Sequence, residues 1–215
     1  MHITKVIILK KDPPLSDEAF GGLIRRASDE YRGRAVKMQR GAAENLLLGE
    51  ALSRHMLCEY TGIAPQKLAF ARGPHGKPFL RDYEHLHFNL SHSGIFVACA
   101  LSPAPVGIDV QMLTPPRLNV AKRFFTDNEY NYILEENSAI RFCRVWTMKE
   151  SYVKYLGSGI SATPLHSFDA LKLPAGMFHE IKLNRDALCQ VCGAARYEVR
   201  VLKVYARDFL LSQQD

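Results

Sequence analysis

A single aspartate inside an apolar strand narrows the possible folds of this chain more than any other feature. Asp109 stands in Val106-Gly107-Ile108-Asp109-Val110, a segment that reads as a short buried strand. A carboxylate taken out of water is expensive unless its charge is balanced. A salt bridge, a strand-end position or a metal ion would each balance it. Gln111 follows two residues later and projects from the same strand face, where its amide oxygen can complete a metal shell directly or hold a bound water. Two of these three answers bring compensating charge from elsewhere in the fold.

The rest of the chain supplies candidates. Val6 to Leu9 is an apolar strand that stops before Pro13 and Pro14. Ser16 to Arg26 reads as a helix with Ser16 as N-cap. Ala42 to Tyr60 is a stronger helix, with apolar residues at three- and four-residue steps and Gly62 as its stop. Lys67 to Ala71 reads as a strand, and Gly73 to Pro78 as a turn. Two strands bent at Ser91 to Gly94 follow, the second continuously apolar from Ile95 to Leu101. Asn119–Phe125, Asp127–Glu136 and Arg141–Leu156 are predicted helices, the last ended by Gly157. Strands are predicted around Phe168 and over Phe178–Leu183, Ala187–Cys192 and Tyr197–Tyr205. Helix and strand mix in both halves, and Pro103 and Pro105 mark the midpoint. The expectation is an α+β protein of two lobes, 1–105 and 106–215, with no residue-level repeat between them.

Composition sets the function classes. With 47% hydrophobic residues the chain can build a core. No apolar run approaches the roughly 20 residues that span a bilayer, so the expectation is a cytoplasmic protein without a membrane partner. Cys189 and Cys192 form a lone CxxC pair without a second pair at metal-ligand spacing, and they read as core thiols. The net charge is +6, and Arg25, Arg26, Arg32, Arg34, Lys37 and Arg40 crowd one tract against Asp29 and Glu30. Such a tract favours a phosphorylated small molecule, a polyanion or an acidic protein. Nucleic acid is not expected, because zinc-finger spacing, an aromatic single-strand platform and a helix-turn-helix signature are all missing.

Along Trp146-Thr147-Met148-Lys149-Glu150-Ser151-Tyr152-Val153-Lys154, Glu150 and Lys154 lie one turn apart on a face shared with Trp146 and Val153. That setting is too apolar for a solvent-style ion pair. Asp109, Glu129 and Glu150 are too far apart in sequence for a loop chelate and meet only if the fold brings them together. Oxygen ligands of this kind favour Mg²⁺ or Mn²⁺ over zinc. His92 sits in the small-residue tract Asn89-Leu90-Ser91-His92-Ser93-Gly94, where a phosphate can meet backbone N–H groups and an imidazole. There is no GxSxG elbow, no Walker A loop and no GxGxxG turn.

Five tracts taken together resemble the 4'-phosphopantetheinyl transferase family, specifically the longer, monomeric type that activates surfactin synthetase. They are Gly76-Lys77-Pro78-Phe79, Phe88 to Gly94, Val106 to Val110, Ala121-Lys122-Arg123-Phe124-Phe125, and Trp146 to Lys154. The resemblance implies two similar α+β lobes related by a pseudo-twofold axis, with coenzyme A between them and the phosphopantetheine arm passed to a serine of an apo acyl- or peptidyl-carrier protein. It implies Asp109 and Glu150 as Mg²⁺ ligands (Mn²⁺ as a substitute), with Gln111 and Glu129 beside them. Lys154 becomes a pyrophosphate contact, and Lys77 and His92 bind coenzyme A phosphates. Glu150 is the expected general base and Glu129 its competitor. Two departures stand out. Gln111 occupies a position that is glutamate in the surfactin-synthetase type, and Asn45 occupies one where a phosphate-binding arginine is expected, leaving Arg40 or Arg32 to supply that charge. The alternative is a non-catalytic protein on the same fold that binds coenzyme A or a carrier.

Overall fold

The computed structural model describes residues 2–136, 138–194 and 197–213. In chain order the elements are β1 (His2–Lys10), α1 (Asp17–Arg26), α2 (Asp29–Ala35), α3 (Arg40–Thr61), β2 (Phe70–Arg72), β3 (Pro78–Leu80), β4 (His87–Ser93), β5 (Phe96–Ser102), β6 (Val106–Met112), α4 (Leu118–Phe124), α5 (Asp127–Leu134), α6 (Ala139–Leu156), α7 (Gly159–Ala162), β7 (Phe178–Leu183), β8 (Ala187–Gly193), β9 (Tyr197–Tyr205) and α8 (Ala206–Leu211). None of the described helices is long and apolar enough to cross a membrane.

The strands form two larger sheets and one hairpin. The first sheet has the order β4-β5-β1-β9, the second β6-β8-β7, and β2 pairs with β3. Strand alternation divides the apolar residues between two cores. On one face of the first sheet, Ile7, Leu9, Val97, Cys99 and Leu101 pack on the leucines of α3. On the other face, Val6, Ile8, Phe96, Ala98 and Ala100 meet Val106, Ile108, Val110, Ile181, Leu183, Cys189 and Val191 of the second sheet. The outer face of the second sheet carries α6. The layers therefore run helices, sheet, sheet, helices, an α+β architecture in which both sheets are covered.

Local signals explain the boundaries. The Ser16 hydroxyl accepts from the Ala19 N–H at the start of α1, and Gly62 and Gly157 adopt positive φ angles of 71° and 69° at the ends of α3 and α6. Some expectations are corrected. The segment before Phe168 is a 3-10 turn, Leu165–Ser167, rather than a strand. The tract through Ser91 remains extended to Ser93, and the bend comes at Gly94. The basic tract contains a further helix, α2. Strand pairing also runs across residue 105: β9 pairs in parallel with β1 along its whole length, from His2 opposite Tyr197 to Lys10 opposite Tyr205.

Candidate active site

A glycine decides how closely α6 approaches β6. A methyl group on Gly107 would lie 2.0 Å from the Ser151 carbonyl oxygen and 2.4 Å from the Tyr155 nitrogen. The helix backbone thus rests on the strand backbone, and Glu150 and Lys154 arrive beside Asp109. Lys154 Nζ lies 2.7 Å from Asp109 Oδ1 and donates also to the Ile108 carbonyl at 3.1 Å and to Ser91 Oγ at 3.2 Å. The Ser91 hydroxyl donates to the same Asp109 oxygen at 2.7 Å. The charge in the apolar strand is balanced by this lysine.

The other side of β6 is held by β4. Ile108, Val110 and Met112 direct their N–H groups outward, and these donate to Asn89 Oδ1 (2.9 Å), Ser91 Oγ (3.2 Å) and Ser93 Oγ (3.1 Å). Alternate side chains of one strand thus stand in for the backbone carbonyls of a neighbouring strand. This accounts for the alternation of Asn89, Ser91 and Ser93 in the sequence, since each satisfies a donor that burial would leave unpaired.

Two features mark the site as suited to a cation. Asp109 is 6% exposed, and its Oδ2 has no hydrogen-bond partner among the described residues. The half-buried Glu150 carboxylate makes no hydrogen bond there either. Burial, and after it the negative charge of Asp109, raise the Glu150 pKa above the usual carboxylate value, while Lys154 opposes the rise. The two acids therefore lie close enough to feel one another. No third His, Cys, Asp or Glu joins them in a metal-holding group among the described residues. Gln111 lies two residues along β6 from Asp109, at the register position opposite Leu188.

The sequence expectation for Glu129 is corrected. This carboxylate is fully buried and engaged, accepting from the Thr126 N–H at 2.8 Å and the Ala170 N–H at 2.6 Å and pairing with Lys149 Nζ at 2.8 Å. It closes the capping box of α5. Lys149, also fully buried, donates to the Leu165 and Phe168 carbonyls. The pair is a strut between α5, α6 and the following turns, and Glu129 does not join Asp109 and Glu150 in one group among the described residues. Sequence spacing missed this because a capping-box acid and a ligand acid look alike until the lysine partner is located.

A cavity of about 340 Å³ opens beside the site, lined in part by Gly76, Lys77, Pro78, Asn89, Glu150 and Lys154. Lys77 Nζ donates to the Val106 carbonyl at 3.0 Å and the Lys154 carbonyl at 2.6 Å. One of its three donors remains for an anion. Burial pulls its pKa down to about 8. His92 is exposed, and its pKa is lowered by the surrounding protein and then by the Lys154 charge, with Lys11 adding to the effect. Arg40 is corrected as a phosphate ligand. Its guanidinium is spent on Glu44 at 2.7 Å and Asp17 at 3.0 Å, and lies 3.8 Å from the centre of the Phe20 ring. Among the described residues the Arg32 side chain meets the Ala27 carbonyl and the exposed Asp29, and neither arginine lines the cavity. Asn45 donates to the Gly94 carbonyl at 3.1 Å, tying α3 to the turn after His92. Cys189 and Cys192 are buried with free thiols. Three residues apart on a strand, they point to opposite faces.

Comparison with known proteins identifies the family. Positions 105–204 match the model of the 4'-phosphopantetheinyl transferase superfamily, and positions 26–104 match that of the 4'-phosphopantetheinyl transferase N-terminal region. The 4'-phosphopantetheinyl transferase Sfp of Bacillus subtilis (strain 168) is 34% identical over 168 residues, 76% of this chain and 75% of the relative. The 4'-phosphopantetheinyl transferase psf-1 of Bacillus pumilus is 41% identical over 122 residues, 55% of this chain and 52% of the relative. The L-aminoadipate-semialdehyde dehydrogenase-phosphopantetheinyl transferase of Rattus norvegicus is 30% identical over 135 residues, 55% of this chain and 44% of the relative. With both halves matched and a relative 34% identical over about three quarters of each chain, the chain belongs to the 4'-phosphopantetheinyl transferases.

Proposed function

We propose that this protein moves the phosphopantetheine arm of coenzyme A onto a serine hydroxyl of an apo acyl- or peptidyl-carrier protein and releases 3',5'-adenosine diphosphate, in a magnesium-dependent reaction. The observation that carries the reading is the unpaired Asp109 Oδ2 next to the unbonded Glu150 carboxylate, beside a lysine-lined cavity. This oxygen-only donor set fits Mg²⁺, with Mn²⁺ as a substitute. Asp109 and Glu150 would hold it, and Gln111 would join directly or through water. When bound, the ion supplies positive charge to the phosphoryl oxygens of the diphosphate.

The chain's own side chains account for the rest. Lys154 is held between Asp109, Ser91 and the Ile108 carbonyl, a fixed cation at the point where the leaving phosphate gathers charge. Lys77 and the exposed His92 meet further phosphate oxygens, and Arg32 carries the basic tract toward the coenzyme or an acidic carrier surface. Glu150 takes the proton from the incoming serine, directly or through a bound water, its close placement offsetting the weak basicity of a carboxylate that also faces the cation. The enzyme needs no nucleophile of its own, which leaves Ser91 free to position Asp109. Mass spectrometry of apo carriers incubated with coenzyme A and Mg²⁺ tests the reading. A gain of one phosphopantetheine arm is expected, and it should vanish in Asp109→Ala. No gain across fatty-acid, polyketide and peptide-synthetase carriers would leave a binding protein without transfer.

A further inference from the structure

A polar row crosses the second sheet beneath α6. Asp109 of β6 is the register partner of Gln190 of β8, which is in turn the partner of Glu180 of β7. Ile108, Val110, Cys189, Val191 and Ile181 occupy the face that packs on the first sheet, so strand alternation directs the row toward α6. The outer two members are paired with cations of that helix, Asp109 Oδ1 with Lys154 and Glu180 with Arg144. The middle one is not. Gln190 is 3% exposed, and its Oε1 has no hydrogen-bond partner among the described residues, just as Asp109 Oδ2 has none.

Two buried acceptors on directly opposed strand positions, both unpaired, are a costly arrangement for an apolar interior. Cross-strand neighbours have Cβ atoms about 4.5–5.5 Å apart, so one small cation, or a water bound to it, can reach both oxygens. We propose that Gln190 is a further oxygen donor at the cation site of Asp109 and Glu150, supplying from β8 part of what a carboxylate at position 111 would provide. This rests on the cation reading of the site given above. A neutral amide oxygen beside two carboxylates suits a hard divalent ion, which takes carbonyl as well as carboxylate oxygens.

Mn²⁺ serves as the probe, with bound and free ion measured by electron paramagnetic resonance in the presence of saturating coenzyme A and no carrier, so that no turnover contributes. Gln190→Met keeps the length and removes the oxygen, and Gln190→Glu keeps an oxygen and adds charge. The expected result is Mn²⁺ affinity at least about tenfold weaker in Gln190→Met and no weaker than wild type in Gln190→Glu, with near-ultraviolet circular dichroism unchanged. Wild-type affinity in Gln190→Met would overturn the inference. Weakening in both variants would overturn it too, because it would show the amide acting as a hydrogen-bond donor to Asp109 instead. If wild type bound Mn²⁺ no better than Asp109→Asn, the cation reading itself would fall and take Gln190 with it.

Discussion

Replacing Gly107 by alanine adds a single methyl group, and the structure fixes where that group must go. It would sit 2.0 Å from the Ser151 carbonyl oxygen, 2.4 Å from the Tyr155 nitrogen and 3.0 Å from the Lys154 carbonyl carbon, all helix backbone. Gly94 differs in kind, since a methyl there meets only the Met112 side chain at 2.8 Å, which can swing away, and the cost lies instead in a positive φ of 55°. No rotamer relieves Gly107. To restore ordinary contact, α6 has to lift by roughly 1.4 Å. The 2.7 Å contact between Lys154 and Asp109 would then open beyond hydrogen-bond length. Overpacking of this kind costs about 1–3 kcal/mol, which for a chain of this size lowers the melting temperature by roughly 2–4 °C per kcal/mol. Misplacement of a catalytic group by about 1 Å costs on the order of a hundredfold in rate. Differential scanning fluorimetry and carrier loading followed by mass spectrometry measure the two effects. A Gly107→Ala protein with wild-type melting and wild-type kcat/KM would refute the claim that this backbone contact sets the site.

Other perturbations separate structural from chemical roles. Glu129→Gln leaves Lys149 buried without its counter-charge and should destabilise the fold by about 3–5 kcal/mol; a stable but inactive variant in denaturant titrations would restore Glu129 as a base. Ser91→Ala removes the acceptor of the Val110 N–H, at a cost of about 1–3 kcal/mol, and an unchanged unfolding midpoint would contradict the side-chain ladder. The Lys77 pKa near 8 makes coenzyme A binding proton-linked. Below that pH the ammonium is already present; between pH 8 and 10 an arriving phosphate raises the pKa and draws a proton in. Calorimetry at pH 8.5 in buffers of different ionisation enthalpy should show net proton uptake, lost in Lys77→Met. Equal uptake in both proteins would remove Lys77 from the phosphate site.

The sequence made some of this plain and concealed the rest for identifiable reasons. Helix ends at Gly62 and Gly157, the cap at Ser16 and the strand around Asp109 were legible because each depends on local conformational preference. That the charge of Asp109 needed compensation was legible too, but that Lys154 supplies it was not, because the sequence set that lysine beside Glu150. The partners of Glu129 were not legible, since Lys149 reaches it from another helix, and its adjacency to Glu150 in sequence does not bring their side chains to one place, because neighbours on a helix project about 100° apart. Gln190 escaped notice for a similar reason. An amide within Ala187-Leu188-Cys189-Gln190-Val191 gains meaning only when register sets it opposite Asp109. Arg40 illustrates the reverse error, a cation chosen for its place in a basic tract but neutralised by Glu44 and Asp17.

The parallel pairing of β1 with β9 bears on how the protein is made. During synthesis, the Val6–Leu9 segment leaves the ribosome nearly two hundred residues before its lateral partner at Val201–Val204. Until then β1 has one open flank, and an apolar strand with unpaired N–H and C=O groups invites self-association. A nascent chain halted between β6 and β9 should therefore depend on holding chaperones in a way that the finished chain does not, for in the completed fold the strand at that edge is β9, whose exposed Arg200 and Lys203 discourage further strand addition.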